Sequence, residues 1–284
     1  MKYVYTHIDG IGRIMLLKNE HVFEQYYFEQ KKGQSFYTIA WNRGAGQNVF
    51  IDESPYPFEG NSILPIMQNQ SFRFERPEDI VAWQFNRDFY CIVNHDAEVG
   101  CVGFIFYGLS SAMFVKLEAV DIEMMARLLS VFEEEYISDD DIKGEMLRML
   151  LVRLIIKTTR LAKKQYLGTV EVKKEKFNLI RKYNLLVEIH FRKEHQVQFY
   201  AGLLNKSPKT ISNIFSLYSK KSPQQIIQER IITESKRLFN YTDKSVKEIA
   251  DELGFVDSAH FSKYFKNATS QNPSEIKKVT QKSR

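Results

Sequence analysis

A helical apolar spacing that stops, turns within a few residues and restarts occurs twice in this chain. That repeat constrains the fold more than any other feature. In SVKEIADELGFVDSAHFSKYFK (245–266), Val246, Ile249, Ala250 and Leu253 share one helical face. Gly254 and Phe255 interrupt it, and Ala259, Phe261, Tyr264 and Phe265 resume it. The pattern is already present in VQFYAGLLNKSPKTISNIFSLYSKKSPQQII (197–227). Val197, Ala201 and Leu204 match Val246, Ala250 and Leu253 at an offset of 49. The turn then gains one residue. Ile211, Ser212, Phe215, Pro223 and Ile226 match Phe261, Ser262, Phe265, Pro273 and Ile276 at an offset of 50.

Start signals agree at both copies. Ser207 before Pro208, and Asp257 before Ser258, are placed to cap the second helix of each unit. Ser245 with Glu248 has capping-box spacing. Between the copies, PQQIIQERIITESKRLFN (223–240) reads as one unbroken helix with Ile226, Ile227, Ile231 and Leu238 at its apolar positions. Its length is about 27 Å at about 1.5 Å per residue. Successive major grooves on one DNA face lie about 34 Å apart, a span that such a helix and the hairpins at its ends can bridge. Two short helices joined by a tight turn bury their apolar sides and present the second helix outward, the helix-turn-helix arrangement. A single such hairpin occurs in many helical bundles; two with matched caps and a bridging helix are more specific.

Charge divides the same way. Residues 1–170 hold eighteen Lys/Arg against twenty-three Asp/Glu, a net of −5; residues 171–284 hold twenty-two against twelve, a net of +10. The basic half suits a polyanion, and nucleic acid is the usual one. A solvated basic surface is the plainer alternative.

The segments YAGLLNKSPKTISNIF (200–215), KSPQQIIQERIITESKRLF (221–239) and VKEIADELGFVDSAHFSKYFKNATSQNPSEIKK (246–278) resemble the C-terminal domain of AraC/XylS-type transcriptional regulators. The resemblance implies an all-α domain with two helix-turn-helix units joined by a long helix. It further implies reading helices at about 208–219 and 258–269. In the first, Ile211 and Phe215 face the core and Lys209, Thr210, Ser212, Asn213 and Ser216 face DNA. In the second, Phe261 and Phe265 are core, beside Gly254 and Phe255 in the turn, and Ser258, His260, Ser262, Lys263 and Lys266 face DNA. Lys and Asn donate to guanine and adenine edges, and Ser and Thr to bases or phosphate. Two departures stand out. Neither reading helix holds an arginine, which leaves Lys209 and Lys263 to read guanine. Ala259 stands where relatives often carry a polar residue. Lys206, Lys220, Lys221 and Arg230 are read as phosphate or structural contacts, with an intradomain role open for Arg230.

The front of the chain reads differently. FYTIAW (36–41), NVFI (48–51), NSILPIM (61–67), SFRF (71–74), DIVAWQF (79–85), FYCIV (89–93) and CVGFIF (101–106) are short β-rich runs. RGAGQ, DESPYP, ERPED and NHDAEVG punctuate them. A sandwich or small barrel follows. A helical hairpin is expected over about 120–165. Ile122, Met125, Leu129 and Phe132 share a face of its first helix. Ser138 is placed to cap the second, with Asp139, Asp140 and Asp141 in its first turn. Leu147, Leu151, Leu154, Thr158 and Leu161 recur at heptad-like spacing, and Met146, Met149 and Ile156 line another side. A helix apolar on two sides needs two partners. The seam is assigned to a homodimer contact, with burial inside one domain as the alternative. The resemblance implies a cupin-like β-barrel with dimerising helices here. The whole is an α+β two-domain chain: 1–166 sensing and dimerising, 167–180 a linker, and 181–284 binding DNA.

Other chemistry is thin. No stretch of eighteen apolar residues, and no run leading to a small-residue cleavage site, is present, so a cytoplasmic location without membrane contact is expected. A metal-dependent cupin enzyme wants HxH spacing. The front half holds only His7, His21 and His95, and none are so spaced. His95, Asp96 and Glu98 read as a polar hairpin loop. No GxSxG, Walker or GxGxxG pattern occurs. No catalytic residue, metal or cofactor is expected. Cys91 and Cys101 read as small buried residues, with a redox switch as the rarer alternative. Tyr37, Trp41, Trp83, Phe85 and Phe104 read as core aromatics first and as a ligand pocket second. The partners expected are double-stranded DNA, a second copy of the chain, and RNA polymerase if the regulator activates. A small-molecule effector is left open, as is a regulator whose front domain only dimerises. The rival reading is a small-molecule-binding or enzymatic cupin whose helical tail mediates protein contacts.

Overall fold

Prolines, buried aromatics and short turns set the sheet boundaries in the front unit. The structure, a computed structural model, describes residues 1–25, 36–52, 54–68, 70–91, 104–107, 112–167, 174–218 and 221–276. The chain divides into two units, Met1–Val170 and Glu171–Arg284.

Ten strands are described in the first unit: β1 Lys2–Thr6, β2 Arg13–Lys18, β3 Glu24–Gln25, β4 Phe36–Asn42, β5 Gln47–Ile51, β6 Ser54–Phe58, β7 Ser62–Ile66, β8 Phe72–Phe74, β9 Ile80–Asn86 and β10 Val115–Lys116. They form a six-stranded sheet in the order β1-β2-β9-β4-β7-β10 and a four-stranded sheet in the order β3-β8-β5-β6. Every pairing is antiparallel. Among the described residues neither sheet closes on itself, so the expected cupin-like barrel is replaced by two open sheets. They share one apolar core: Met15, Ala40, Leu64 and Ala82 from the larger sheet, Val49 and Phe74 from the smaller.

β4 and β9 are buried along their whole length because both faces are covered. Alternation sends Ala40 and Ala82 into the shared core and Tyr37, Trp41, Trp83 and Phe85 to the opposite face. There Trp83 meets Phe132, with ring centroids 5.7 Å apart, and Tyr37 meets Phe106 at 5.1 Å. These aromatics are therefore packed between sheet and helices, outside the sandwich interior. Each apolar side chain taken fully out of water contributes roughly 1.5–3 kcal/mol.

Several boundaries differ from the sequence reading. β1, β2, β3, β6 and β10 lie outside the runs expected to be strands. β6 carries Pro55 and Pro57 and lies at a sheet margin, where a strand tolerates them. CVGFIF is not a strand where described. Phe104–Tyr107 forms a short helix, α1, with Phe104, Ile105 and Phe106 all buried, and a brief apolar run does not distinguish the two. Phe89 and Tyr90 lie in a turn, where the Phe89 amide donates to Asn86 Oδ1 at 3.0 Å. His95, Asp96, Glu98 and Cys101 lie outside the described residues.

The helical hairpin is α2, Ala119–Ile137, against α3, Lys143–Leu167. Ser138 ends α2 rather than starting α3, and Asp139–Asp141 precede α3, whose entry is shaped by the Ile142 amide donating to Asp140 Oδ1 at 2.9 Å. Leu147, Leu151, Leu154 and Thr158 are each 0% exposed and Leu161 is half-buried. The seam assigned to a dimer is thus already covered inside one chain, by α2, α1 and β10. Met146 and Met149, at 40% and 69% exposure, remain on the outer side.

The second unit holds α4 Lys174–His190, α5 Val197–Leu203, α6 Pro208–Tyr218, α7 Pro223–Tyr241, α8 Val246–Glu252 and α9 Ser258–Thr269. α4 begins inside the stretch expected to be linker and packs on α5, α6 and α7. Residues 168–173 lie outside the described residues. No helix among the described residues is long and apolar enough to cross a membrane.

Candidate nucleic-acid interface

The two helix–turn–helix units repeat in backbone detail. α5 ends at Leu204 (φ −90°, ψ 3°) and α8 at Leu253 (φ −90°, ψ 11°). The next residues, Asn205 and Gly254, both adopt positive φ, 51° and 73°. The Asn205 amide donates to the Gly202 carbonyl at 3.0 Å, and the Gly254 amide to Asp251 at 3.1 Å. The Lys206 amide donates to Ala201 at 2.9 Å, and the Phe255 amide to Ala250 at 3.0 Å. The second helices then start on the expected caps. The Thr210 amide donates to Ser207 Oγ at 3.1 Å and the His260 amide to Asp257 Oδ1 at 2.7 Å.

Each second helix is fastened by two apolar residues. Ile211 and Phe215 are buried on α6, and Phe215 meets the Tyr183 ring of α4 edge-on at 5.0 Å. Tyr183 is itself fixed by donating to the Pro223 carbonyl at 3.1 Å; burial, with Tyr200 adding to it, pushes its pKa up. Phe261 and Phe265 are buried on α9 and meet Phe239 of α7 at 6.2 and 5.6 Å. Phe255 fills the angle of the second unit, 5.2 Å from Phe261 and from Tyr264. Lys206 occupies the equivalent place in the first unit and is exposed, so that unit has no such plug.

What remains outward is mostly polar and cationic, with Leu217 and Ala259 also exposed. On α6, Lys209, Thr210, Ser212, Asn213 and Ser216 are all exposed. Thr210 shares a 2.9 Å hydroxyl contact with Ser207, and Ser216 donates to the Asn213 carbonyl at 2.9 Å. On α9, His260, Lys263 and Lys266 are exposed, whereas Ser258 and Ser262 are half-buried. Ser262 donates to the Ser258 carbonyl at 2.7 Å, which occupies its proton. Asn267 is also exposed, four residues after Lys263 and so on the same side; that spacing was the signal for it.

Of the four flanking cations, Lys206 is exposed and Lys221 pairs with Glu229 at 2.6 Å. Lys220 lies outside the described residues. Arg230 is internal: its guanidinium pairs with Glu188 at 2.6 Å and Glu234 at 2.9 Å and stacks over Phe191 at 3.9 Å. Glu234, fully buried, also receives Arg192 and, at 3.5 Å, Arg237. Burial alone would raise the Glu234 pKa, but Arg230, Arg192 and Arg237 hold it at about 2. Arg230 therefore ties α7 to α4 and is not placed for phosphate. Among the described residues no three His, Cys, Asp or Glu side chains gather as metal ligands would.

Residues 200–278 match the family model of a helix-turn-helix domain. The transcriptional activator RhaS of Enterobacter sp. (strain 638) is 31% identical over 91 residues, 32% of this chain and 33% of RhaS. The chain spans about a third of the length of the curated relatives it matches. Among solved structures, ToxT from Vibrio cholerae aligns over 97% of this chain and 96% of its own, at 16% identity and a TM-score of 0.41. The DNA-binding domain of AdpA in complex with a target DNA aligns over 37% of this chain and 95% of its own, at 21% identity and a TM-score of 0.34.

Proposed function

We propose that this chain, whose residues 200–278 form a helix-turn-helix domain of the AraC/XylS type, is a sequence-specific DNA-binding transcriptional regulator. It acts in the cytoplasm and sets α6 and α9 into two successive major-groove segments. The observation that carries this reading is the repeated turn geometry. Each copy ends in a helix with two apolar residues buried and with hydrogen-bond donors and cations among its outward residues. α7, with 19 residues, is about 28 Å long, which suits two readers about one DNA turn apart. Phosphate attraction by the net +10 half supplies affinity, and Lys209, Asn213, His260 and Lys263 supply base contacts.

The front residues 1–166 are proposed to sense and to pair. An effector, where one exists, acts by favouring one arrangement of the paired chains over another. A second copy meets the exposed Met146–Met149 side of α3, since the Leu147–Thr158 seam is covered.

Selection of bound duplexes from a random pool at about 150 mM salt, with the full chain, tests the reading, because nonspecific binding is already weak there. Convergence on two short blocks about one helical turn apart is the expected result. Enrichment with residues 171–284 alone, but not with the full chain, means the front unit holds the readers shut. Enrichment with neither overturns the reading in favour of a protein-contact role for the helical half.

A further inference from the structure

The six residues between α4 and α5 do more than connect them. Phe191 lies under the Arg230 guanidinium of α7, and Arg192 pairs with Glu234 of the same helix. The Arg192 carbonyl oxygen sits 2.3 Å from the point a β-carbon would take on Gly254, in the turn of the second unit. The Glu194 carbonyl accepts from the Tyr200 hydroxyl of the first unit at 2.6 Å. The His195 carbonyl accepts from Gln224 Nε2 of α7 at 3.1 Å. The His195 ring lies 4.6 Å from Phe255, whose other neighbours are Phe261, Tyr264 and His260 of α9. One short segment thus touches the first unit, the bridging helix and the second unit.

We propose that residues 191–196 are a clasp that fixes the orientation of the second reader relative to the first, with His195, through its tilted ring contact with Phe255, as the positioning residue. The repeat itself argues for it. Asn205 and Gly254 occupy equivalent turns, yet the first carries a side chain, whereas at the second the Arg192 carbonyl fills the place a β-carbon would take. α7 fastens α9 through Phe239, at one end of a single helix, and α4 fastens α6 through Tyr183. The clasp adds a contact between the α4 side and the α9 side that does not run along α7. The inference rests on α6 and α9 being the DNA readers, but its first test does not need DNA.

Spin labels on Leu217→Cys and Asn267→Cys, in the full chain with Cys91→Ser and Cys101→Ser, report the distance between the readers by pulsed electron resonance. The parent should give one narrow distribution. Adding His195→Ala should broaden it about twofold by populating other orientations, and His195→Phe, which keeps a ring against Phe255, should restore it. Equal widths in all three overturn the proposal. Should His195→Ala fail to fold, Gln224→Ala removes only an exposed hydrogen bond to the clasp. Broadening in that variant supports the proposal, and an unchanged width overturns it. On a selected duplex, one inserted base pair turns the second block by about 35° and moves it about 3.4 Å. The parent should lose about tenfold in affinity and His195→Ala about threefold or less. If no duplex is ever selected but the distribution still broadens, the DNA reading fails and the clasp stands.

Discussion

The carbonyl oxygen of Arg192 and the α-carbon of Gly254 are so close that a β-carbon on residue 254 would fall 2.3 Å from that oxygen. Gly254 also holds φ at 73°, where side chains other than glycine are strained. Both penalties meet backbone that cannot swing aside. Gly254→Ala should lower unfolding stability by about 2 kcal/mol or more. Asn205→Gly, at the equivalent turn of the first unit, should change it by only a few tenths of that. Urea unfolding of the two variants side by side measures the contrast, and equal losses would remove the connector as its cause.

Glu234 gives the second unit a specific acid response. Its folded pKa of about 2 lies below the ordinary 4.5, despite burial, because three arginines surround it. The unfolded chain therefore takes up this proton first. The stabilisation is fully present above about pH 4.5 and is lost as pH falls through about 2. Glu234→Gln should cost about 3–5 kcal/mol near neutrality by stranding buried guanidiniums, and should flatten the acid limb of the stability curve. Chemical denaturation from pH 7 to pH 2.5 reads both effects.

Lys263→Ala should weaken binding to a selected duplex about tenfold while leaving random duplex nearly unchanged. Equal losses on both would make Lys263 a phosphate contact only. Ser262→Ala should have little effect on either, since its hydroxyl already donates to the Ser258 carbonyl. Affinity should fall steeply and linearly in logarithmic salt, and fluorescence anisotropy titrations supply all of these numbers.

Leu151 and Met149 separate folding from pairing. Leu151→Ala, at a fully buried site, should cost about 2–5 kcal/mol of stability. Met149→Glu, at a side chain 69% exposed, should leave stability within about 0.5 kcal/mol and shift sedimentation toward monomer. A dimer untouched by Met149→Glu would place the pairing surface elsewhere.

The helical half was legible because its determinants are local. Ser207, Ser245 with Glu248, and Asp257 each fix a helix start within three residues, and all three form as the spacing predicted. The outward faces of α6 and α9, expected from the resemblance, lie opposite the buried Ile211, Phe215, Phe261 and Phe265, with Ser258 and Ser262 half-buried. The connector was not legible. His195 meets Phe255 across sixty residues of chain, and nothing in the spacing of either announces the other. In the front unit, strand pairing is set by partners far along the chain, so β4 and β9 could be read as strands but not as central neighbours. The seam on α3 shows the limit of periodicity. It says that Leu147, Leu151 and Leu154 share a side, not whether that side meets α2 or another molecule.

The prolines of β6 have a consequence for the protein at high concentration. Alternate residues of a strand aim their backbone groups toward the neighbour and away from it. Pro55 and Pro57 cannot donate to β5, so Ser54, Tyr56 and Phe58 are left to hold that ladder. The outward-aimed positions are then the two prolines, which have no N–H to offer. A strand from another molecule laid along this margin would find carbonyls without donors through its middle. The β6 margin of the smaller sheet is thus closed to recruitment of further chains, a safeguard against fibrillar assembly written into the same residues that mark this strand.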